Sequence, residues 1–152
     1  TERFDMCHRI VVSGLSEVLN YAQMHGMHPV ANTMPEEGIS LSVKMGLSKC
    51  MESNRKLRGV LFAVCDQPGL KGDTIEQILE LAWKNPGKII CAGKDQEPGN
   101  PVLLDQIYFQ ELLNLEGDRG GKQVVKRHMD KVLIVDTSAK ELQDIDEKTQ
   151  NW

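Results

Sequence analysis

Residues 59–70 read GVLFAVCDQPGL, and this stretch decides the fold. Val60, Leu61, Phe62, Ala63, Val64 and Cys65 form an unbroken apolar run, which Asp66, Gln67, Pro68 and Gly69 end at once. A short apolar run cut off by turn residues reads as a strand buried on both faces. In an open α/β sheet, ligands bind outside the carboxyl ends of such strands. Asp66 therefore stands where a ligand would be met, and Pro68 fixes the chain's exit from the sheet. Asp and Pro are also common turn residues, so a purely turn-shaping role for Asp66 stays open at this point.

Upstream, residues 8–13 (HRIVVS) read as a strand. After Gly14, the residues Leu15, Val18, Leu19 and Ala22 recur at helical spacing. Residues 28–31 (HPVA) form a second short strand ending at Asn32. Ile39, Val43, Leu47 and Cys50 mark one face of a helix over residues 40–53. Ser40 and Ser42 lie at its start. Either could cap it, or the helix N-terminus could present free N–H groups to an anion.

Downstream, Asp73 and Glu76 fit a capping box, with Ile75, Ile78, Leu79 and Ala82 as the buried stripe of the next helix. Residues 88–92 (KIICA) read as a strand and residues 93–99 as a flexible polar loop. Val102, Leu103 and Leu104 form a short strand. A helix is expected over residues 106–115, with Ile107, Leu112 and Leu115 apolar, then a loop dense in Gly and charge over 116–121. A short helix over 122–128 and a buried strand over 131–135 (KVLIV) follow. The tail, with Asp144, Asp146 and Glu147, is expected to open a last short helix. Alternating strands and helices with apolar strands point to an α/β protein: a Rossmann-like three-layer sandwich around a mostly parallel sheet.

Composition sets bounds. The chain has 152 residues, which suggests a single domain, residues 1–152. Net charge is −4 and no run of Lys or Arg exceeds two, which argues against nucleic acid and anionic membrane as partners. The four cysteines, Cys7, Cys50, Cys65 and Cys91, lack zinc-site spacing and read as reduced, buried thiols of a cytoplasmic protein. No apolar run approaches the ~18 residues of a membrane span.

Asp66 and the Asp144–Asp146 pair are acidic points that could converge on Mg²⁺, a hard cation that takes few protein oxygens. LFAVCDQPGL resembles the strand-plus-Asp-x-Pro motif of the molybdenum cofactor nucleotidyltransferases, closest to the cytidylyltransferase branch. EEGISLSVKMGL, PGNPVLL, LEGDRGGKQVV and ELQDIDEKTQ resemble further segments of that family in the same order. The resemblance implies the nucleotide-diphospho-sugar transferase type of fold and an enzyme that transfers CMP or GMP from CTP or GTP to molybdopterin, releasing pyrophosphate. It implies Mg²⁺ as cofactor and a molybdenum hydroxylase as the recipient partner.

Carried over by position, Asp66 becomes the catalytic metal ligand and Asp146 a second ligand. Gln67 and Pro68 flank Asp66 on the binding side. Ser40 and Ser42 fall near the nucleotide. Gly99, Asn100, Pro101, Gly117, Asp118 and Gly120 fall where the family approaches the pterin. The chain departs from the family in two places. The family's first strand, with its Gly-rich triphosphate loop and a Lys, is missing here, so the domain is expected to be N-terminally incomplete and inactive alone. Its absence should leave residues 59–65 with an open edge, which invites pairing into a homodimer. The tail lacks the family's Thr-Pro-Glu-Asp. Two alternatives stand beside this reading: a same-fold nucleotidyltransferase with another phosphate acceptor, and a non-catalytic nucleotide- or pterin-binding module.

Overall fold

The computed structural model describes residues 8–145; Cys7, Asp146 and Glu147 lie outside them. In chain order the elements are β1 (Ile10–Ser13), α1 (Ser16–Met24), β2 (His28–Ala31), α2 (Ile39–Ser53), β3 (Gly59–Phe62), α3 (Gly72–Lys84), β4 (Ile89–Lys94), β5 (Glu97–Asp105), α4 (Phe109–Leu113), α5 (Gly121–Arg127) and β6 (Val132–Asp136). The chain divides into two compact units, residues 1–58 with 108–124, and residues 59–107 with 125–152.

In the first unit, β1 and β2 pair in parallel, from Ile10 opposite His28 to Ser13 opposite Ala31. The connection between them is α1, the βαβ arrangement that parallel pairing requires. α2 packs on β1 and on α4. Val43, Leu47 and Cys50 are buried as their spacing requires, while Ile39 is half exposed and does not share that face.

The second unit is a four-stranded sheet in the order β3-β5-β4-β6. β4 and β6 are parallel, but β5 runs antiparallel between β3 and β4, so the sheet is mixed rather than mostly parallel. The short strand expected around Val102 is nine residues long, and residues 93–99 are not a flexible loop. They form a tight hairpin whose two central residues, Asp95 and Gln96, both have positive φ. Such turns match the twist of their flanking strands. Pro98 and Pro101 argue against a central strand in sequence because neither can donate to a ladder. The β4–β5 register breaks between Cys91 and Gly93, leaving Gly99, Asn100 and Pro101 unmatched to β4. The proline is thus accommodated at an irregularity.

β3 ends at Phe62 rather than Cys65, and its residues are half-buried rather than enclosed. It occupies one end of the sheet and pairs with β5 alone among the described residues, so one edge has no ladder partner. Residues 63–66 leave the ladder and are exposed, which puts Cys65 on the surface, while Cys50 and Cys91 are buried as expected. One further expectation fails: residues 106–108 form a 3-10 turn that leaves Ile107 exposed. The expected tail helix lies partly outside the described residues, and residues 141–145 contain no helix.

α3 covers β4, β5 and β6. Its Ile78 is fully buried with Ile90, Ala92, Leu103 and Val135, and Leu61, Leu79, Leu133 and Leu142 pack against this cluster. Among the described residues no helix is long and apolar enough to cross a membrane. Ile78→Ala removes a fully enclosed side chain and should lower unfolding free energy by about 2–5 kcal/mol in urea denaturation.

Candidate functional site

The residues singled out in sequence fall into two groups, one in each unit. In the second unit the organising feature is the turn after β3. Asp66 is exposed at its start, as is Pro68, whereas Gln67 is only 9% exposed. The tail docks on this turn. Ile145 donates its N–H to the Asp66 carbonyl at 2.8 Å. Gln67 Nε2 donates to Asp144 Oδ1 at 3.1 Å and to the Leu142 carbonyl at 3.4 Å. Two acceptors on one side fix which way the amide faces, since the flipped amide would set oxygen against oxygen. The other amide atom, Oε1, is buried without a hydrogen-bond partner among the described residues.

The tail is locked down by Glu141, which is 5% exposed. Its Oε2 accepts from Thr74 Oγ1 at 2.6 Å and from the Lys71 N–H at 3.3 Å, and its Oε1 accepts from Ser138 Oγ at 3.1 Å. Lys71 Nζ lies 3.7 Å from Oε1. The Thr74 hydroxyl above all, then the Lys71 N–H, the Ser138 hydroxyl and the Lys71 charge, hold the Glu141 carboxyl below its usual range against the opposing effect of burial. Gly69 permits the close approach: a Cβ there would stand 2.5 Å from the Lys140 carbonyl oxygen. Asp73 does not cap α3. The cap position is Lys71, without a side-chain hydrogen bond, and Glu141 receives the Lys71 amide instead.

Gly99 joins this group through Leu142, whose Cδ2 lies 3.4 Å from where a Gly99 Cβ would be. Asn100 is partly buried and Pro101 buried in β5, joined by a cis peptide bond. The structure thus brings together Asp66, Gln67, Asp144 and Gly99. Asp146 lies outside the described residues.

In the first unit, α2 meets the loop after α4. Gly38 precedes α2 with φ +85°, and a Cβ on it would lie 2.5 Å from Gly117 backbone and 2.7 Å from Asp118 Oδ1. Only glycine tolerates both that φ and that approach. Ser40 is buried, and its N–H is taken by the Gly117 carbonyl at 3.0 Å. The cap position is Gly38, so neither serine caps the helix. Ser42 Oγ accepts from Asn32 Nδ2 at 3.0 Å, and Asn32 Oδ1 accepts from the Met34 N–H. Gly120 packs near Ile39, and Gly117 and Asp118 are exposed. Ser40, Ser42, Gly117, Asp118 and Gly120 therefore form one neighbourhood.

Sequence reasoning did not single out Glu141 or Thr74. They are 67 residues apart, and no local pattern links them.

Comparison with known proteins fits this layout. The model of the MobA-like NTP transferase domain matches residues 2–132. Rv0371c from Mycobacterium tuberculosis H37Rv superposes with a TM-score of 0.66 at 21% identity, over 90% of this chain and 68% of that one. A structure of the same mycobacterial protein in complex with manganese gives 0.66 at 21%, covering 85% and 66%. Aq1419 of Aquifex aeolicus VF5 gives 0.64 at 14%, covering 91% and 71%. The chain spans about two thirds of the length of these proteins. At such identities they show the fold: the Rossmann-like α/β fold of the nucleotide-diphospho-sugar transferases. No curated protein matches the sequence significantly.

The Glu141 clasp has a pH signature. Because its folded pKa is depressed, its stabilisation is complete above the ordinary glutamate value of about 4.3 and is lost as pH falls through the lowered folded value. Glu141→Gln should flatten the acid limb of a stability-versus-pH curve. Thr74→Val should destabilise by about 1–3 kcal/mol at neutral pH in urea denaturation, since it leaves a buried carboxylate short of a donor.

Proposed function

The chain belongs to the MobA-like NTP transferase domain family, and from that premise we propose that it is a Mg²⁺-dependent nucleotidyltransferase that moves CMP, or GMP, from the nucleoside triphosphate to molybdopterin with release of pyrophosphate. The observation that carries this reading is the exposed Asp66 in the turn after β3, with the tail hydrogen-bonded to its carbonyl and Asp144 tied to the next residue. Among the described residues no group of three or more His, Cys, Asp or Glu is placed to hold a metal, so Asp66 and Asp144 offer two carboxylates at most. That suits Mg²⁺, which binds through one or two carboxylates plus substrate phosphates. The manganese complex of the mycobacterial protein supports a divalent cation in this fold.

In this mechanism Asp66 would hold the cation, with Asp146 as the second ligand and Asp144 as a further candidate. When bound, the cation neutralises triphosphate charge and aligns the α-phosphorus for in-line attack by the pterin's terminal phosphate. The protein's part is positioning rather than acid–base chemistry, so Asp66 acts as a ligand and not as a base. Gln67 and Pro68 hold the Asp66 turn. By the family pattern, Gly99, Asn100 and Pro101 of the second unit are assigned to the pterin, and Ser40 and Ser42 of the first unit to the nucleotide.

Turnover with CTP or GTP, molybdopterin and Mg²⁺ tests the reading on the full-length protein. Asp66→Ala should lower turnover by about 100-fold or more, with little change in melting temperature because the side chain is exposed. Retained turnover would remove Asp66 from the cation site. Turnover with a sugar phosphate in place of molybdopterin would favour another acceptor within the same fold.

A further inference from the structure

Gln67 is a costly residue to place where it is. Its side chain is nine-tenths buried, yet among the described residues only Nε2 is satisfied and Oε1 is enclosed without a partner. A buried polar atom left unpaired is unfavourable, and an apolar side chain of the same shape is often as good or better for stability. Of the two acceptors that Nε2 reaches, the Leu142 carbonyl is the more distant, at 3.4 Å. Asp144 is exposed, so water would replace the amide there. Turn shape alone therefore does not account for a glutamine at this position.

What the amide does is hold one carboxylate. It joins the residue after Asp66 to Asp144, while the Ile145 N–H holds the Asp66 carbonyl. We infer that Gln67 is a positioning residue that orients the Asp144 carboxylate beside Asp66 and thereby sets the affinity of the site for a divalent cation without touching the cation. The inference rests on the cation reading of Asp66. Hydrogen-bond partners of metal-binding side chains commonly change metal affinity ten- to hundredfold when removed.

The test uses Mn²⁺ alone as the probe, titrated into the full chain and followed by electron paramagnetic resonance, with melting temperature measured in parallel. Gln67→Met is expected to leave the melting temperature unchanged or higher while weakening Mn²⁺ binding ten- to hundredfold. Asp144→Asn should weaken it as well, and Gln67→Met should add nothing further in that background. A purely structural glutamine would show a lowered melting temperature with unchanged affinity. That result, or a Gln67→Met effect that persists in full when Asp144 is already Asn, overturns the inference. Asp66→Ala separates the two levels. If it abolishes binding while Gln67→Met and Asp144→Asn bind like the parent, only the role of Gln67 falls. If the parent binds Mn²⁺ no better than Asp66→Ala, the cation reading falls with it.

Discussion

The Glu141 carboxylate accepts hydrogen bonds from Thr74, from the Lys71 backbone and from Ser138, and it is almost fully enclosed. An enclosed carboxylate is tolerable only when such donors surround it, so the tail and the start of α3 must come together or not at all. The geometry around the Asp66 turn follows from that requirement. Once Glu141 is seated, Leu142 reaches the apolar cluster under α3, Asp144 reaches Gln67, and Ile145 reaches the Asp66 carbonyl. The turn after β3 is thus held in part from outside, by a segment about 75 residues away in sequence.

The first unit solves a similar problem with backbone in place of side chains. A helix start leaves N–H groups unsatisfied. Here Gly38 and Gly117 approach so closely that one loop's carbonyl serves the other element's amide. The N-terminus of α2 is therefore partly satisfied by protein, and the two serines near it are engaged inward: Ser40 is buried and Ser42 is bonded to Asn32.

Local patterns were read well where a single periodicity governs them. The helix over residues 39–53 and the strands around Val30, Ile90 and Ile134 lie where apolar spacing puts them. The turn that carries Asp66 is likewise legible, because an abrupt change from apolar to turn residues needs no tertiary information, whereas the strand's own end at Phe62 is not. Pairing direction is not legible in that way. Nothing local announces that β5 runs antiparallel, and Pro98 and Pro101 argue against the strand they occupy until the register break beside Cys91 is seen. The apolar run of β3 suggests more enclosure than its half-buried residues have, since such a run reports hydrophobicity and not how many neighbours a strand has. The Glu141 clasp joins residues with no shared pattern, so only the folded chain reveals it.

Cys65 stands one residue before Asp66 and is exposed, while Cys50 and Cys91 are buried. Burial pushes the Cys50 thiol up and the Cys91 thiol up to about 12, which keeps both protonated and unreactive. Among the described cysteines, an electrophilic label would therefore find Cys65 first. The protein carries its own attachment point for a spin label or fluorophore at the mouth of the Asp66 turn, where occupancy of the site could be followed without introducing a foreign residue.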